Sequence, residues 1–328
     1  KCKGALITHV DRYECPACAA LYPIVAGIPD FRLYADPYID LEADRAKGLH
    51  LNEKAQTLDF KSLVDYYYSI TPEVPPDLAQ RYTAHHVAGV TRGAAILERM
   101  RAYGLRQPDA DQRVLDVGCG TGGFVTAAAE TGAMVIGIDI AFRWLIVGRR
   151  RLQDLGYENA HLVCACADYL PFPDDFFDAI IAESVLEHMR DAQVVLTEIG
   201  RVRKAGGAFM ARTVNRYSLA PEPHVGVWGV GFLPRRWMDG YVRRVKGLPY
   251  EHIRLQSVGN LRTMLRASSQ PDLIVRSPHM TAADYQHHPP LRRRLFQLYG
   301  TMTPFLRPIL TRFGPYLDII SRTTTARL

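Results

Sequence analysis

The sequence predicts an α/β fold: a seven-stranded, mostly parallel sheet with helices on both faces, preceded by a small β piece and a helical stretch. Three observations carry this. From residue 113 onward, short runs rich in Val, Ile and Leu alternate with stretches of helical length, and regular βα alternation implies parallel strands joined by crossover helices. The first of these runs breaks on a cluster of glycines, Gly118, Gly120, Gly122 and Gly123. The composition, 48% hydrophobic and 23% charged over 328 residues, is that of a globular chain with room for one large or two modest domains.

Residues 1–35 read as a separate ribbon-like β piece. Cys15-Pro-Ala-Cys18 presents two thiols on one turn, Cys2 is a third, and His9 is a candidate substitute ligand with an ordinary surface residue as the alternative; zinc takes four such ligands at tetrahedral corners. A metal-free hairpin covering the main domain is the alternative. Cys119, Cys164 and Cys166 lie in or beside expected strands and read as small core residues. Six cysteines in this length do not make a disulfide scaffold, and no apolar run approaches the ~20 residues that span a bilayer. A cytoplasmic protein is the expectation, with peripheral attachment to the inner face of the membrane left open.

Residues 36–110 read as helical. Leu58, Phe60, Leu63 and Val64 with Tyr66-Tyr67-Tyr68 form one aromatic-rich helix, ended by Thr71-Pro-Glu-Val-Pro-Pro76 because proline removes a donor and fixes φ. Val87, Val90, Ala94, Leu97 and Met100 recur at helical spacing, predicting one long helix from His85 to Tyr103. Strands are expected at 114–117, 134–139, 161–166, 177–182, 208–214, 273–276 and 317–321. Helices are expected at Phe142–Leu155 and Asp191–Val202, and a turn at Lys204–Gly207. The stretch 216–270, with Pro221, His224, Trp228, Pro234 and Trp237, breaks the alternation as a substrate-specific insertion.

The strand–glycine–helix corner at 113–130 is a nucleotide-binding shape. Gly118, Gly120 and Gly123 fit the G-x-G-x-x-G of a dinucleotide site, and a turn without ligand is also open. Asp116 shifts the balance: a carboxylate at the strand mouth repels a pyrophosphate and attracts the ammonium group of a methionine-like moiety. That favours S-adenosylmethionine (SAM). Asp139 closes the second strand about 20 residues further on, where an acid accepts ribose hydroxyls; it fits both cofactors.

Asp116, Gly118, Gly120 and Gly122 match Asp-x-Gly-x-Gly-x-Gly, and the stretch resembles motif I of the class I SAM-dependent methyltransferases, which share a Rossmann-like sheet. The segment Ala167–Asp178 resembles the motif in which an Asp, here Asp168, receives the adenine amino group and the next backbone N–H, that of Tyr169, meets a ring nitrogen. Glu183-Ser-Val-Leu-Glu-His-Met189 resembles the segment ending the fourth strand beside the sulfonium. Arg203-Lys-Ala-Gly-Gly207 resembles a Lys-Pro-Gly-Gly turn, with Ala205 in place of Pro. The resemblance covers 113–215 strongly, and implies a cofactor set of Asp116, Gly118, Cys119, Gly120, Asp139, Ile140, Asp168, Tyr169 and Glu183. It also implies that residues 36–110 form a helical lid, with Tyr66–Tyr68 lining it or packing as core. Cys15–Phe31 resembles the zinc-ribbon-like domain fused to, or activating, some methyltransferases, implying zinc at Cys2, Cys15 and Cys18; that family has a further cysteine ahead of the first seen here.

Methyl transfer is an in-line displacement that proximity and alignment mostly accelerate, by ~7–11 kcal/mol; an oxygen nucleophile also needs a base. His188, after the fourth strand, and His224, in the insertion, are the candidates, with a helix cap and a rigid loop as their plain alternatives. The expected acceptor is a small molecule, a saccharide or a glycolipid; the small net charge of +6 and the lack of a basic stripe interleaved with aromatics argue against nucleic acid. A non-catalytic subunit of the same fold and an NAD-dependent oxidoreductase are the rival functions. Finally, a basic helical segment at 285–315, with Arg292, Arg293, Arg294, Arg307 and Arg312 among apolar residues, either packs on the sheet or lies on an anionic membrane surface. Pro304 and Pro308 are expected to split it.

Overall fold

The computed structural model describes residues 2–268, 270–279, 281 and 290–322. Residues 285–289 of the expected basic segment lie outside the described residues, as does the side chain of Arg292. The chain falls into two compact units, Lys1–Leu97 with Pro108–Ala179, and Glu98–Gln107 with Ile180–Leu328.

The first unit opens with a four-stranded antiparallel sheet, β1 (Ile7–Thr8), β2 (Arg12–Cys15), β3 (Ala20–Val25) and β4 (Ile28–Pro29), in sequential order. Ala26 and Gly27, at φ 47° and 78°, make the two-residue turn that hairpin twist favours. Helices α1 (Leu41–Lys54), α2 (Phe60–Ser69), α3 (Pro76–Val87) and α4 (Gly89–Ala102) follow. Asp40 and Asp59 cap the first two through Ala43 and Ser62 N–H groups, satisfying donors that a helix start leaves open.

The long helix expected from His85 to Tyr103 is instead two helices, broken at Ala88–Gly89. The break serves a close approach. A Cβ on Gly123 would sit 2.6 Å from the Gly89 carbonyl oxygen, and one on Gly93 would sit 2.6 Å from the Gly123 oxygen. The apolar periodicity continues across the break, so spacing alone conceals it.

One seven-stranded sheet carries the α/β fold. Its strands are β5 (Arg113–Val117), β6 (Met134–Asp139), β7 (Ala160–Cys164), β8 (Phe177–Glu183), β9 (Arg203–Val214), β10 (Leu273–Arg276) and β11 (Tyr316–Ser321), in the order β10-β11-β9-β8-β5-β6-β7. β5, β6 and β7 pair in parallel; β11 runs antiparallel to both β9 and β10. The intervening helices are α5 (Gly123–Ala129), α6 (Phe142–Leu155), α7 (Ala192–Val202), α8 (Arg235–Lys246), α9 (Val258–Ala267) and α10 (Pro290–Phe313). β9 begins at Arg203, so the expected turn at Lys204–Gly207 lies within the strand; Gly206 at φ 73° accommodates the local bend. α10 also departs from expectation, running unbroken through Pro304 and Pro308. Each proline removes one helical donor, leaving the carbonyls of Gly300 and Pro304 without their usual partners.

Candidate functional site

In the first unit the glycine turn is built from backbone. Gly118, Gly120 and Gly122 have φ of 74°, 51° and 70°, a region that a side chain makes costly. Gly118 and Cys119 both donate N–H to the Ile138 carbonyl, at 2.8 and 2.9 Å, fastening the turn to β6. Asp139 then receives the Gly120 N–H on Oδ2 and the Ala141 N–H on Oδ1, each at 2.8 Å. Burial pushes the Asp139 carboxyl above its ordinary range, against the opposing pull of those two N–H groups. Asp116 is buried at the end of β5. Burial raises the Cys119 thiol, first of its causes, which keeps it a neutral packing group.

The segment after β6 is held from a distance. The residue before α6 is Ala141, which has no side-chain acceptor. Asp44 of α1 supplies one, receiving the Phe142 N–H at 2.8 Å, the Arg143 guanidinium at 2.8 Å and the Arg32 guanidinium at 2.6 Å. Arg32 also pairs with Asp30 at 2.8 Å and donates to the Ile140 carbonyl at 3.1 Å; Arg143 pairs with Asp36 at 2.9 Å. Asp30, Arg32, Asp36, Asp44 and Arg143 are all buried. This network places Ile140 and the start of α6, and the residues of the expected lid that enter it are anchored by charge.

Asp168 receives the Tyr34 hydroxyl on Oδ1 at 2.6 Å, which leaves Oδ2 for another donor. The Tyr169 N–H, assigned above to an adenine nitrogen, donates instead to the Cys166 carbonyl at 3.1 Å; a local turn captures the donor. Tyr66–Tyr68 join a packed aromatic cluster: Tyr67 is buried and its ring lies 4.2 Å from that of Trp144, and Tyr68 bonds His86 at 3.2 Å. His86 also contacts the Thr121 hydroxyl at 3.3 Å, and burial lowers its pKa to about 3.

At the ribbon, Cys2 and Cys15 Sγ atoms lie 3.3 Å apart, and all three thiols fall within 4.8 Å of one another. The Cys2 thiol is pulled down to about 7, first by the Gly4 backbone and then by Cys18 and Cys15. His9 is not the fourth member: its Nε2 pairs with Glu14 at 3.0 Å, a residue of the neighbouring strand β2.

In the second unit, Glu183 closes β8 but its carboxylate pairs with Arg99 at 2.7 Å, and Arg212 stands 3.7 Å from the same oxygen. Glu183 is thus engaged by guanidinium groups, a commitment that residue spacing does not reveal. Ser184, at φ 55°, then turns the chain into a single 3-10 turn, Leu186–His188. Here the two candidate histidines meet: the rings of His188 and His224 are edge-on, with centroids 5.0 Å apart. His224 Nδ1 bonds Glu222 Oε1 at 2.5 Å, and its Nε2 lies 4.0 Å from Glu187 Oε1. Burial alone lowers His224, but the Glu222 bond and charge, with Glu187, outweigh it and raise the pKa. His188 is driven down to about 4, by burial first and by His224 second. The insertion carrying His224 has its own apolar core of Val227, Val230, Met238, Val242 and Tyr250. Glu187, Glu222 and Tyr34 are contributors that sequence reasoning did not select; Glu222 stood two residues from His224 as the only available signal.

Residues 115–211 match the family model described as a methyltransferase domain. Ubiquinone biosynthesis O-methyltransferase of Thiobacillus denitrificans is 36% identical over 118 residues, covering 36% of this chain and 51% of that protein. Demethylmenaquinone methyltransferase of Clavibacter sepedonicus is 36% identical over 138 residues, covering 42% and 51%. The chain thus spans about half the length of these curated relatives, 51% in each case. A solved SAM-dependent methyltransferase from Mesorhizobium loti aligns at 24% identity and a TM-score of 0.48, over 71% of this chain and 99% of that one. The methyltransferase match begins inside β5 and ends inside β9, so it takes in the glycine turn, Asp139, Asp168 and the Glu187–His188 pair. His224 and the ribbon lie outside it. Among the described residues no helix is long and apolar enough to cross a membrane.

Proposed function

We propose that this chain is a SAM-dependent methyltransferase acting on a small-molecule acceptor. The observation that carries the reading is Asp116, buried at the end of β5 beside the glycine turn, where a carboxylate repels a pyrophosphate and attracts an ammonium group; Asp139, placed by the Gly120 and Ala141 N–H groups, suits the ribose. Asp116 faces the methionine ammonium, Asp139 the ribose and Asp168 the adenine amino group. Gly118, Cys119, Gly120 and Ile140 shape the pocket. Isothermal titration with SAM and with NADH tests it: SAM binds and NADH does not. NADH binding alone revives the oxidoreductase, and SAM binding without methyl transfer to any acceptor favours the non-catalytic subunit.

The acceptor is methylated at oxygen. Its lone pair attacks the methyl carbon, the carbon–sulfur bond breaks onto sulfur, and the acceptor's proton passes to the His188–His224 pair, where Glu222 holds His224 in place. A lipid-linked acceptor, quinone-like or glycolipid, fits α10 better than a free saccharide. Leu298, Met302, Phe305 and Ile309 recur at helical spacing and are exposed, Phe305 by 85%, while Arg293, Arg294, Arg307 and Arg312 share the helix. Such a helix suits an anionic bilayer interface. Flotation with anionic and neutral liposomes tests it: binding to anionic vesicles is lost in Phe305→Glu, and equal flotation of the variant removes α10 from the contact.

The ribbon resemblance implies zinc. Cys2, Cys15 and Cys18 fit it as three thiolate ligands by their mutual distances, one short of the four of a closed structural site.

A further inference from the structure

We propose that Glu187, His188 and His224 form a binding site for a divalent transition-metal ion, in the second unit and apart from the ribbon cysteines. One ligand atom from each of the three residues lies within 4.8 Å of the others. Two ligands at about 2.1 Å from one ion stand roughly 3–3.5 Å apart, so small side-chain rotations close the cluster on a cation.

Glu187 gives the strongest indication. It is fully buried, at 0% exposure. Its Oε2 is held by the Thr213 hydroxyl at 2.7 Å, while its Oε1 has no hydrogen-bond partner among the described residues. An orphaned carboxylate oxygen at such depth is costly, and a cation removes the cost. That oxygen is the one 4.0 Å from His224 Nε2. His224 is itself prepared as a ligand. Glu222 takes its Nδ1 at 2.5 Å and is bound in turn by the His224 and Val225 N–H groups through Oε2, at 2.9 and 3.0 Å. A carboxylate that fixes one ring nitrogen leaves the other directed at the metal, the usual outer arrangement of metal-bound histidine.

Two imidazoles and one carboxylate suit zinc or ferrous iron better than magnesium, and they leave coordination positions open for an oxygen of a second molecule. The inference rests on the methyl-transfer reading and replaces the proton-accepting role assigned above to His188 and His224: with an ion bound they would serve as ligands, and the ion would lower the pKa of a coordinated hydroxyl so that its proton leaves to solvent. The site itself is read by binding, so failure of methyl transfer and failure of the metal site are separate results.

The probe is Co2+, added to the full chain after dialysis against a chelator. Nitrogen and oxygen ligation gives weak visible bands, whereas thiolate ligation at Cys2, Cys15 and Cys18 adds an intense near-ultraviolet charge-transfer band, so the two sites are distinguished in one spectrum. The expected result is visible bands that titrate independently of the charge-transfer band and are lost in Glu187→Gln and in His224→Ala. Glu222→Gln weakens binding by about tenfold or more. Co2+ also raises the thermal midpoint of the wild-type chain by more than that of Glu187→Gln. Wild-type spectra without those bands at millimolar Co2+, or bands that persist unchanged in folded Glu187→Gln and His224→Ala, overturn the proposal.

Discussion

Asp139 ends β6 and Glu187 lies in the 3-10 turn that follows β8, and the two acids are held in opposite ways. Each Asp139 oxygen receives a backbone N–H, from Gly120 and from Ala141. Glu187 has a side-chain hydroxyl on one oxygen and, among the described residues, no hydrogen bond on the other. Backbone donors are set by the turn and come with it whatever the neighbouring side chains are. Side-chain donors depend on which element packs alongside. The first arrangement is complete within the turn itself; the second leaves a buried carboxylate oxygen, which the proposed ion would engage.

The contrast is broken most severely at Asp44, on which the placement of Ile140 and α6 rests. Asp44→Ala leaves Arg32 and Arg143 buried with a lost partner and the α6 N-terminus uncapped. Breaking such a network costs about 3–5 kcal/mol, read as a lower urea midpoint at unchanged slope. Next in size is Asp139→Ala. Hydrogen bonds to a charged acceptor are worth about 1.5–3 kcal/mol, so the dissociation constant for SAM rises by roughly one to two orders of magnitude; an unchanged constant takes Asp139 out of the site.

A smaller effect sharpens the picture of the preset corner through pH. His86, wedged between Tyr68 and Thr121, stays neutral in the folded chain down to about 3, while the unfolded chain takes up the proton near 6.5. Below 6.5 the unfolded state binds more protons, so stability falls progressively as pH drops from about 6.5 toward 3. Melts at pH 7 and pH 5 show a smaller loss in His86→Gln than in the wild type. The smallest change is expected at Glu187→Gln without metal. Among the described residues its Oε1 has no hydrogen bond to lose, the amide oxygen keeps the Thr213 bond, and the 4.0 Å approach of His224 Nε2 is the one charge contact weakened, so the unfolding free energy shifts by less than about 1 kcal/mol.

Much of the corner was legible because it is local. Glycines at 118, 120 and 122 stand where the backbone needs positive φ, and Asp139 ends a strand whose apolar run is visible. Local capture also misled: the Tyr169 N–H was assigned outward, and a turn onto Cys166 takes it. The break at Ala88–Gly89 was hidden because apolar spacing continues through it, and only the approach of Gly89 to Gly123 gives the glycine its reason. Glu183 is expected beside the sulfonium, and nothing nearby in sequence predicts Arg99 as its partner.

Local pattern in the chain is enough for the seven strands of the main sheet, the glycine turn and the acids at the strand mouths. Hydrophobic period, turn chemistry and φ restrictions are properties of neighbouring residues. Tertiary structure alone decided that Asp44 caps α6, that Tyr34 takes one oxygen of Asp168, and that Glu187, His188, Glu222 and His224 come together. Those contacts join residues far apart in the chain. They are selected by packing and by the cost of burying unpaired charge, which no local pattern records.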